Sequence, residues 1–115
     1  MPAMPHLLSL APILSTADMD RMADHYQKLG FVVSLHGDDY ATASRDGFNL
    51  HFHKDDTPPT GAVYFAVDNA EALHAEWTAA AVGETTDLFD PGFGVWEAAH
   101  TDPDGNIIRF GSPLP

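Results

Sequence analysis

The chain has 115 residues, no cysteine, and 17 acidic against 5 basic residues, which gives a formal net charge of −12. This length predicts a single domain with its own hydrophobic core, and the lack of cysteine excludes disulfides, thiolate metal sites and cysteine nucleophiles. The negative charge repels nucleic acid and anionic membranes, so neither is an expected partner, and it favours cationic ones; its alternative role is to keep the protein in solution. No apolar run reaches the ~18 residues that span a membrane, so we expect a cytoplasmic protein.

The first half of the chain predicts a strand, a helix and three further strands. An apolar run from Leu7 to Ser15 has strand length, and Pro12 within it indicates an edge or a hinge because proline lacks an N–H donor. Asp18 and its neighbours supply capping chemistry for a helix from about Ala17 to Leu29, which Gly30 ends. The three strands that follow are predicted at Phe31 to Leu35, Tyr40 to Ser44 and Phe48 to His53.

The second half repeats this order after a polar, proline-rich linker at residues 54–61. A strand at 62–67 precedes a segment from Asp68 to Glu71 that resembles a capping box and predicts a helix through about Val82. Strands near 84–88, 96–100 and 107–110 follow. The apolar stripe of the second helix, at 70, 73, 77 and 80, matches 19, 22, 26 and 29 of the first with an offset of 51 residues.

This duplication predicts the fold class. The chain is an α+β protein of two βαβββ repeats, at about 7–57 and 61–112, within one domain covering residues 1–115. We expect each repeat to form a curved mixed sheet with its helix on the convex face. The concave face then has to be covered by the other repeat, a partner subunit or a ligand.

Two Asp-Gly turn signals place a polar residue at the same strand position in each repeat. Each glycine, in Asp46-Gly47 and in the segment Asp102-Pro-Asp-Gly105, can take the positive φ of a hairpin turn. His51 and Arg109 each lie four residues after the glycine of their turn. An arginine on an inner strand needs a carboxylate partner, for which Glu97 is the candidate, and direct contact with a ligand is the alternative.

The repeated unit resembles the vicinal-oxygen-chelate superfamily of glyoxalase I, extradiol dioxygenases and bleomycin-resistance proteins, and it resembles the last group most. The motifs are Leu-Ala-Pro-Ile-Leu at 10–14, Leu-His-Ala-Glu-Trp at 73–77 and Thr-Asp-Pro-Asp-Gly-Asn-Ile-Ile-Arg-Phe-Gly at 101–111. The resemblance implies a homodimer in which the N-terminal strand is exchanged between subunits near Pro12. It also implies four metal-ligand positions, which here are Ala11, His51, Ala62 and Arg109.

Those four residues do not form a usual metal site, because alanine has no donor atom and a guanidinium has no free lone pair. We therefore expect no cofactor, no catalytic residues and no metal-dependent activity. A displaced site is the alternative: His51 and His53 share a strand face and could hold a metal, with His100 as a third candidate ligand. That site would belong to a divalent-metal lyase, isomerase or dioxygenase. The other histidines, at positions 6, 25, 36 and 74, are expected to be solvated.

The aromatic residues indicate a groove for a flat, partly cationic guest. Tyr64 shares a strand face with small alanines, and aromatic rings stack on flat heterocycles while carboxylates attract a cationic tail. The predicted ligand-binding residues are Tyr40, His51, Tyr64, Phe93, Trp96, Asp38 and Asp39. The resemblance implies that the guest is a bleomycin-type glycopeptide antibiotic, sequestered without chemical modification. A binder of another small aromatic molecule is the remaining alternative.

Overall fold

The computed structural model describes residues 4–115 and confirms the two repeats in chain order. The first repeat contains β1 (Ile13–Thr16), α1 (Met19–Lys28), β2 (Val32–His36), β3 (Tyr40–Arg45) and β4 (Phe48–Lys54). The second contains β5 (Ala62–Ala66), α2 (Ala70–Ala80), β6 (Glu84–Thr85), β7 (Val95–Thr101) and β8 (Ile107–Pro113). Residues 1–3, which belong to the predicted domain and its N-terminal arm, lie outside the described residues.

Each repeat forms its own four-stranded mixed sheet. Sheet A has the strand order β1-β4-β3-β2, and sheet B has the order β5-β8-β7-β6. Strand β1 runs parallel to β4 in sheet A, and β5 runs parallel to β8 in sheet B. The other neighbouring strands are antiparallel. His51 lies opposite Ile13 in the parallel pair of sheet A, and Arg109 lies opposite Tyr64 in that of sheet B. His51 and Arg109 thus occupy equivalent positions, as the spacing of the turns predicts.

Both helices lie between the two sheets. Tyr26 of α1 packs on Phe52 of sheet A, with ring centroids 4.8 Å apart, and donates its hydroxyl to Asp102 at the end of β7 (2.7 Å). Trp77 of α2 packs edge-on against Phe110 of sheet B. One apolar core therefore joins the two repeats. The face of each sheet that is turned away from the helices is called its outer face below.

The N-terminal cap of α2 differs from the predicted one. Asp18 caps α1 as expected, because its side chain accepts a hydrogen bond from the backbone N–H of Arg21. In α2 the cap is Asn69, whose side chain accepts from the backbone N–H of Ala72. Asn69 has the extended backbone conformation of a cap residue directly before the first helical turn, so Asp68 falls one position too early to serve.

Both Asp-Gly turns form hairpins, and the second also connects the repeats. Asp46 and Gly47 have φ values of 54° and 83°, which is the conformation of a two-residue type I′ turn. The carboxylate of Asp102 accepts from the backbone N–H of Asp104 and so closes the second turn. The carboxylate of Asp104 in turn accepts from the hydroxyl of Thr16 in the first repeat.

Two predicted strands are shorter than expected. Residues 4–12 form no strand, although the carbonyl of Pro12 accepts a hydrogen bond from the backbone N–H of His51 where the chain enters β1. The arm side chains Leu7, Leu8 and Leu10 are 94–101% exposed. Strand β6 contains only Glu84–Thr85, and the loop at 86–94 that follows bonds to β7 only at Thr86 and Phe89 within the described residues. None of the helices within residues 4–115 is long and apolar enough to cross a membrane.

Candidate functional site

The outer faces of the two sheets carry different side chains. In sheet A, alternation places Leu50 and Phe52 in the core and leaves the half-buried residues His51, His53, Tyr40 and Thr42 on the outer face. In sheet B the outer residues are Ala62, Tyr64 and Ala66 of β5, Arg109 of β8, and Glu97 and Ala99 of β7. Because the helices separate the sheets, the two outer faces look away from each other within one chain.

Tyr40 and His51 form a hydrogen-bonded pair on sheet A. The Tyr40 hydroxyl lies 2.7 Å from Nδ1 of His51, and the two rings are nearly perpendicular at 85°. A hydroxyl can donate or accept, so it can hold either neutral tautomer of the imidazole. The other ring nitrogen, Nε2, can then offer a ligand either a donor or an acceptor. The neighbouring His53 is bonded in a similar way, with its Nε2 2.8 Å from Oγ of Ser15.

Arg109 and Glu97 form the ion pair that the sequence predicts. A guanidinium nitrogen lies 2.6 Å from a carboxylate oxygen of Glu97, which is buried, while about half of the Arg109 side chain is exposed. The hydrogen bond and charge of Glu97 raise the pKa of Arg109, so its positive charge persists at any physiological pH. The pair places a charge-assisted hydrogen-bonding surface on the outer face of sheet B, in the position that His51 occupies on sheet A.

The residues at the metal positions implied by the resemblance do not fit a metal ion. Ala11 and Ala62 offer no donor atom, and Arg109 is a cation held by Glu97. Among residues 4–115, no three side chains of His, Asp or Glu are grouped so that they could hold a metal. The prediction that His100 could join His51 and His53 is wrong, because alternation along β7 places His100 on the helix face, where it is buried.

Tyr64 and Phe93 are exposed aromatic residues on or beside sheet B. Tyr64 is 49% exposed, and its ring lies across Gly111, where any side chain would overlap the tyrosine hydroxyl. Phe93 is 84% exposed in the 86–94 loop. That loop is tied to the sheet by a backbone bridge between Phe89 and Glu97. Both predicted stacking residues are therefore accessible, and both belong to the second repeat.

Trp96 lies on the helix face of β7, so the prediction that it lines the groove is wrong. It shares this face with Ala98 and His100 and packs against the core, because Glu97 takes the outer position. Its indole N–H is buried and has no hydrogen-bond partner among the described residues. Trp96 therefore does not face the same side of the sheet as Tyr64.

Asp38 and Asp39 lie at one end of sheet A, in the exposed turn between β2 and β3. Asp38 borders a shallow cavity of about 390 Å³ beside the N-terminus of α1, together with Asp20 and Lys54. The backbone N–H of Lys54 donates to the carbonyl of Asp39, which brings Asp55 and the β4 end to the same place. These carboxylates form an acidic rim at this end of sheet A and are not part of its outer face.

Sequence reasoning missed a buried histidine pair. His25 was expected to be solvated, yet it is 3% exposed and lies 2.8 Å from His100, Nε2 to Nε2. The available signal was helical spacing, since His25 falls three residues after Met22 and four before Leu29, on the buried stripe. The identity of its partner could not be read from the sequence, because His100 lies on another repeat.

The fold and the outer faces define a duplicated βαβββ domain with open sheet surfaces. A family model described as the Glyoxalase/Bleomycin resistance protein/Dioxygenase superfamily matches residues 4–110, and the chain belongs to this superfamily. No curated protein matches the chain.

Several solved structures share the fold at low sequence identity. A bleomycin-binding protein complexed with bleomycin has a TM-score of 0.83 and 18% identity, over 94% of this chain and 100% of its own. The bleomycin-binding protein of the bleomycin producer Streptomyces verticillus, complexed with copper(II)-bleomycin, has a TM-score of 0.77 and 23% identity, over 96% and 100%. A glyoxalase-related enzyme from Clostridium phytofermentans has a TM-score of 0.83 and 20% identity, over 96% and 98%.

Proposed function

We propose that the protein binds and sequesters a bleomycin-type glycopeptide antibiotic and so confers resistance without modifying the drug. One observation carries this proposal: both outer faces are open, and they present aromatic and hydrogen-bonding side chains with alanines at two of the four positions associated with a metal. Among the similar structures, the two bleomycin-binding proteins complexed with the drug support the ligand class.

A binding role is favoured over a metal-dependent lyase, isomerase or dioxygenase by donor chemistry. The similarity to a glyoxalase-related enzyme shows that the fold alone does not separate these classes. Chelation of a substrate by a protein-bound metal needs several oxygen or nitrogen donors that converge on one ion. His51 is the single donor among the four positions, and its Nδ1 is already bonded to Tyr40.

A groove with walls from both sheets requires two copies of the chain. Within one chain the outer face that carries Tyr40 and His51 and the one that carries Tyr64 and Arg109 look away from each other. We therefore propose a homodimer in which sheet A of one protomer faces sheet B of its partner. Each of the two equivalent grooves would then combine a tyrosine–histidine wall with a wall of Tyr64, small alanines and the Arg109–Glu97 pair.

The charge distribution matches a cationic guest. Four of the five basic residues are ion-paired, namely Arg21 with Asp104, Lys28 with Asp24, Arg45 with Glu76 and Arg109 with Glu97. The remaining excess of carboxylates leaves a negative field around the molecule and an acidic rim at Asp38 and Asp39. Such a field raises the rate at which a cationic ligand associates more than it tightens the final complex.

Titration of the protein with metal-free and with copper-bound bleomycin, followed by calorimetry and by the melting temperature, tests this function. We expect saturable binding and a rise in the melting temperature. Tyr64→Ala or Phe93→Ala removes a stacking surface and should weaken binding by about 5–150-fold, equivalent to roughly 1–3 kcal/mol. Replacing Asp38 and Asp39 by Asn should slow association and flatten its salt dependence.

Phe48→Ala is the matched control, because Phe48 is also an exposed aromatic residue (64%) but points to the helix side of β4. It should leave the affinity unchanged. If saturating bleomycin changes neither the heat signal nor the melting temperature, the bleomycin proposal is wrong. If bleomycin binds but Tyr64→Ala and Phe93→Ala behave like Phe48→Ala, the function stands and the placement of the groove is wrong.

A further inference from the structure

We propose that the buried pair His25–His100 is a proton-sensitive latch between the two repeats, closed at neutral pH and opened by mild acid. His25 lies on α1 of the first repeat and His100 on β7 of the second. Their Nε2 atoms are 2.8 Å apart, and the two residues are 3% and 0% exposed. Water therefore has no direct access to the bond that joins the repeats at this point.

The surroundings of the pair fix its geometry. Oγ1 of Thr85 on β6 lies 2.8 Å from Nδ1 of His100, so both ring nitrogens of His100 are bonded. Gly83, with a φ of +62°, lies against both rings, and a Cβ there would be 2.7 Å from His25 and 2.8 Å from Nε2 of His100. The Trp77 indole packs against another side of His100, with ring centroids 5.4 Å apart and planes inclined at 65°. The latch thus consists of His25, His100, Thr85 and Gly83.

Proton counting shows why the latch is sensitive to acid. In the neutral pair one Nε2 carries a hydrogen and the other accepts it. One added proton can be accommodated, because an imidazolium still donates to a neutral imidazole. A second proton places hydrogens on both facing nitrogens, so that the bond between His25 and His100 becomes a repulsion between two buried cations.

The charged groups that face the pair decide the order of protonation. They are Asp24 and Lys28 on α1 and Asp102 and Asp104 at the β7–β8 turn, while the contacts from α2 and β6 are the neutral Trp77 and Thr85. Burial lowers the pKa of His25, although the three carboxylates oppose this shift and Lys28 assists it. Burial, and then the charge of His25, lower the pKa of His100 from 6.5 to about 4. Burial therefore opposes protonation of both rings, while the carboxylates near His25 favour His25 as the site of the first proton.

These shifts give the sign and the window of the effect. The pKa values of His25 and His100 are both lower in the folded protein than the ordinary 6.5. At pH values below 6.5 the unfolded chain therefore binds more protons than the folded chain. The stabilisation is complete above pH 6.5 and is lost as the pH falls towards about 4. His100 alone should raise the unfolding equilibrium constant by about 100-fold between pH 7 and pH 4.

Opening of the latch first frees β6 and the loop that follows it. Strand β6 is only Glu84–Thr85 and pairs with β7 at two positions, one of which is Thr85 with His100. Beyond it, Thr86 bonds to Ala99 and Phe89 to Glu97, and both contacts follow the pairing that Thr85 anchors. The bond from Thr85 to the His100 ring is the side-chain contact that holds this strand to the latch. The 86–94 loop, which carries Phe93, follows directly. Acid should therefore increase the mobility of this segment before the molecule unfolds as a whole.

The ligand-free full-length chain provides the test. We expect an NMR titration to show two histidines that titrate below pH 6.5, one of them near pH 4. Hydrogen exchange, corrected for the intrinsic effect of pH, should show residues 81–94 losing protection between pH 6.5 and 4.5 while β3 and β4 keep theirs. In H25Q/H100Q the amides can still bond but cannot titrate, so the rise in its unfolding constant from pH 7 to pH 4 should be about 100-fold smaller.

His36→Gln is the matched control, because His36 is exposed and its ring lies 3.2 Å from the hydroxyl of Thr42 on the neighbouring strand, away from the latch. This variant should change neither the titration of His25 and His100 nor the exchange pattern of residues 81–94. The proposal is overturned if His25 and His100 titrate near 6.5, if residues 81–94 keep their protection, or if H25Q/H100Q follows the wild-type pH profile. If that double variant does not fold at pH 7, the two wild-type measurements decide. Since no bleomycin is present, a failure of the proposed function leaves this test unaffected.

Discussion

Single residues control the packing where the two repeats meet, and Gly83 is one that can be tested. A Cβ at this position would lie 2.5 Å from the carbonyl oxygen of Thr101 and close to both latch histidines. Gly83→Ala should therefore cost at least ~2 kcal/mol in the free energy of unfolding, from the positive φ and from the displaced backbone together. Urea unfolding at pH 7 measures the change.

Gly92→Ala separates the cost of the positive φ from the cost of the steric overlap. Gly92 also has a positive φ, of +95°, but a Cβ there would meet nothing within 4 Å. This variant should cost only about 1 kcal/mol, the price of the left-handed backbone alone. Equal losses in the two variants would show that Gly83 is required for its backbone conformation and that its contact with the latch is unimportant.

The residues of the site could be predicted from the sequence where chemistry alone decided their role. Ala11 and Ala62 have no donors in any fold, and Arg109 needed a carboxylate, which Glu97 supplies. Position was harder to predict than chemistry. Trp96 lies near the start of β7, where an error of one residue in the predicted strand register exchanges its two faces. The sequence was therefore equally consistent with Trp96 in the groove and with Trp96 in the core.

At the level of elements, Asn69 supplies a second test of a corrected prediction. Its side chain accepts from the N–H of Ala72, so Asn69→Ala should destabilise the protein by about 1 kcal/mol through the first turn of α2. Asp68→Ala removes the residue that the sequence pattern favoured, and it should cost at most a few tenths of that. Thermal or urea unfolding compares the two. A larger loss in Asp68→Ala would restore the predicted cap.

The helices and hairpins were predictable because local forces specify them. The buried stripe from Met19 to Leu29 and the type I′ turn at Asp46-Gly47 each act within a few residues. Strand β6 and the N-terminal arm were not predictable in the same way. The length of a strand depends on its neighbour. Regular pairing of β6 with β7 ends after Thr85, and beyond it the backbone bonds to β7 only at Thr86 and Phe89 within the described residues. In the arm, Pro12 bonds to His51 of β4, but residues 4–12 form no strand.

The whole molecule is more extended than a compact domain of its length. Its radius of gyration is 15.6 Å, whereas a compact domain of this length is expected near 13 Å. The extended, exposed arm contributes to this difference. Ile13 on sheet A and Tyr64 on sheet B, at equivalent positions, are 62% and 49% exposed. Apolar surface of this kind is usually buried against another chain.

We therefore expect a homodimer in solution in which the arm contributes to the contact. Light scattering should give about twice the 12.4 kDa mass of the chain. Deletion of residues 1–9 should weaken the dimer, because it removes the exposed side chains of Met4, Leu7 and Leu8. The substitutions Leu7→Ser and Leu8→Ser provide the control, because they keep the backbone of the arm but not its apolar surface.

A dimer weakened by the deletion alone indicates strand pairing by the arm, and one weakened equally by both changes indicates apolar burial. A monomer of the wild-type chain at micromolar concentration would contradict the dimer and, with it, a groove built from sheet A and sheet B of two protomers.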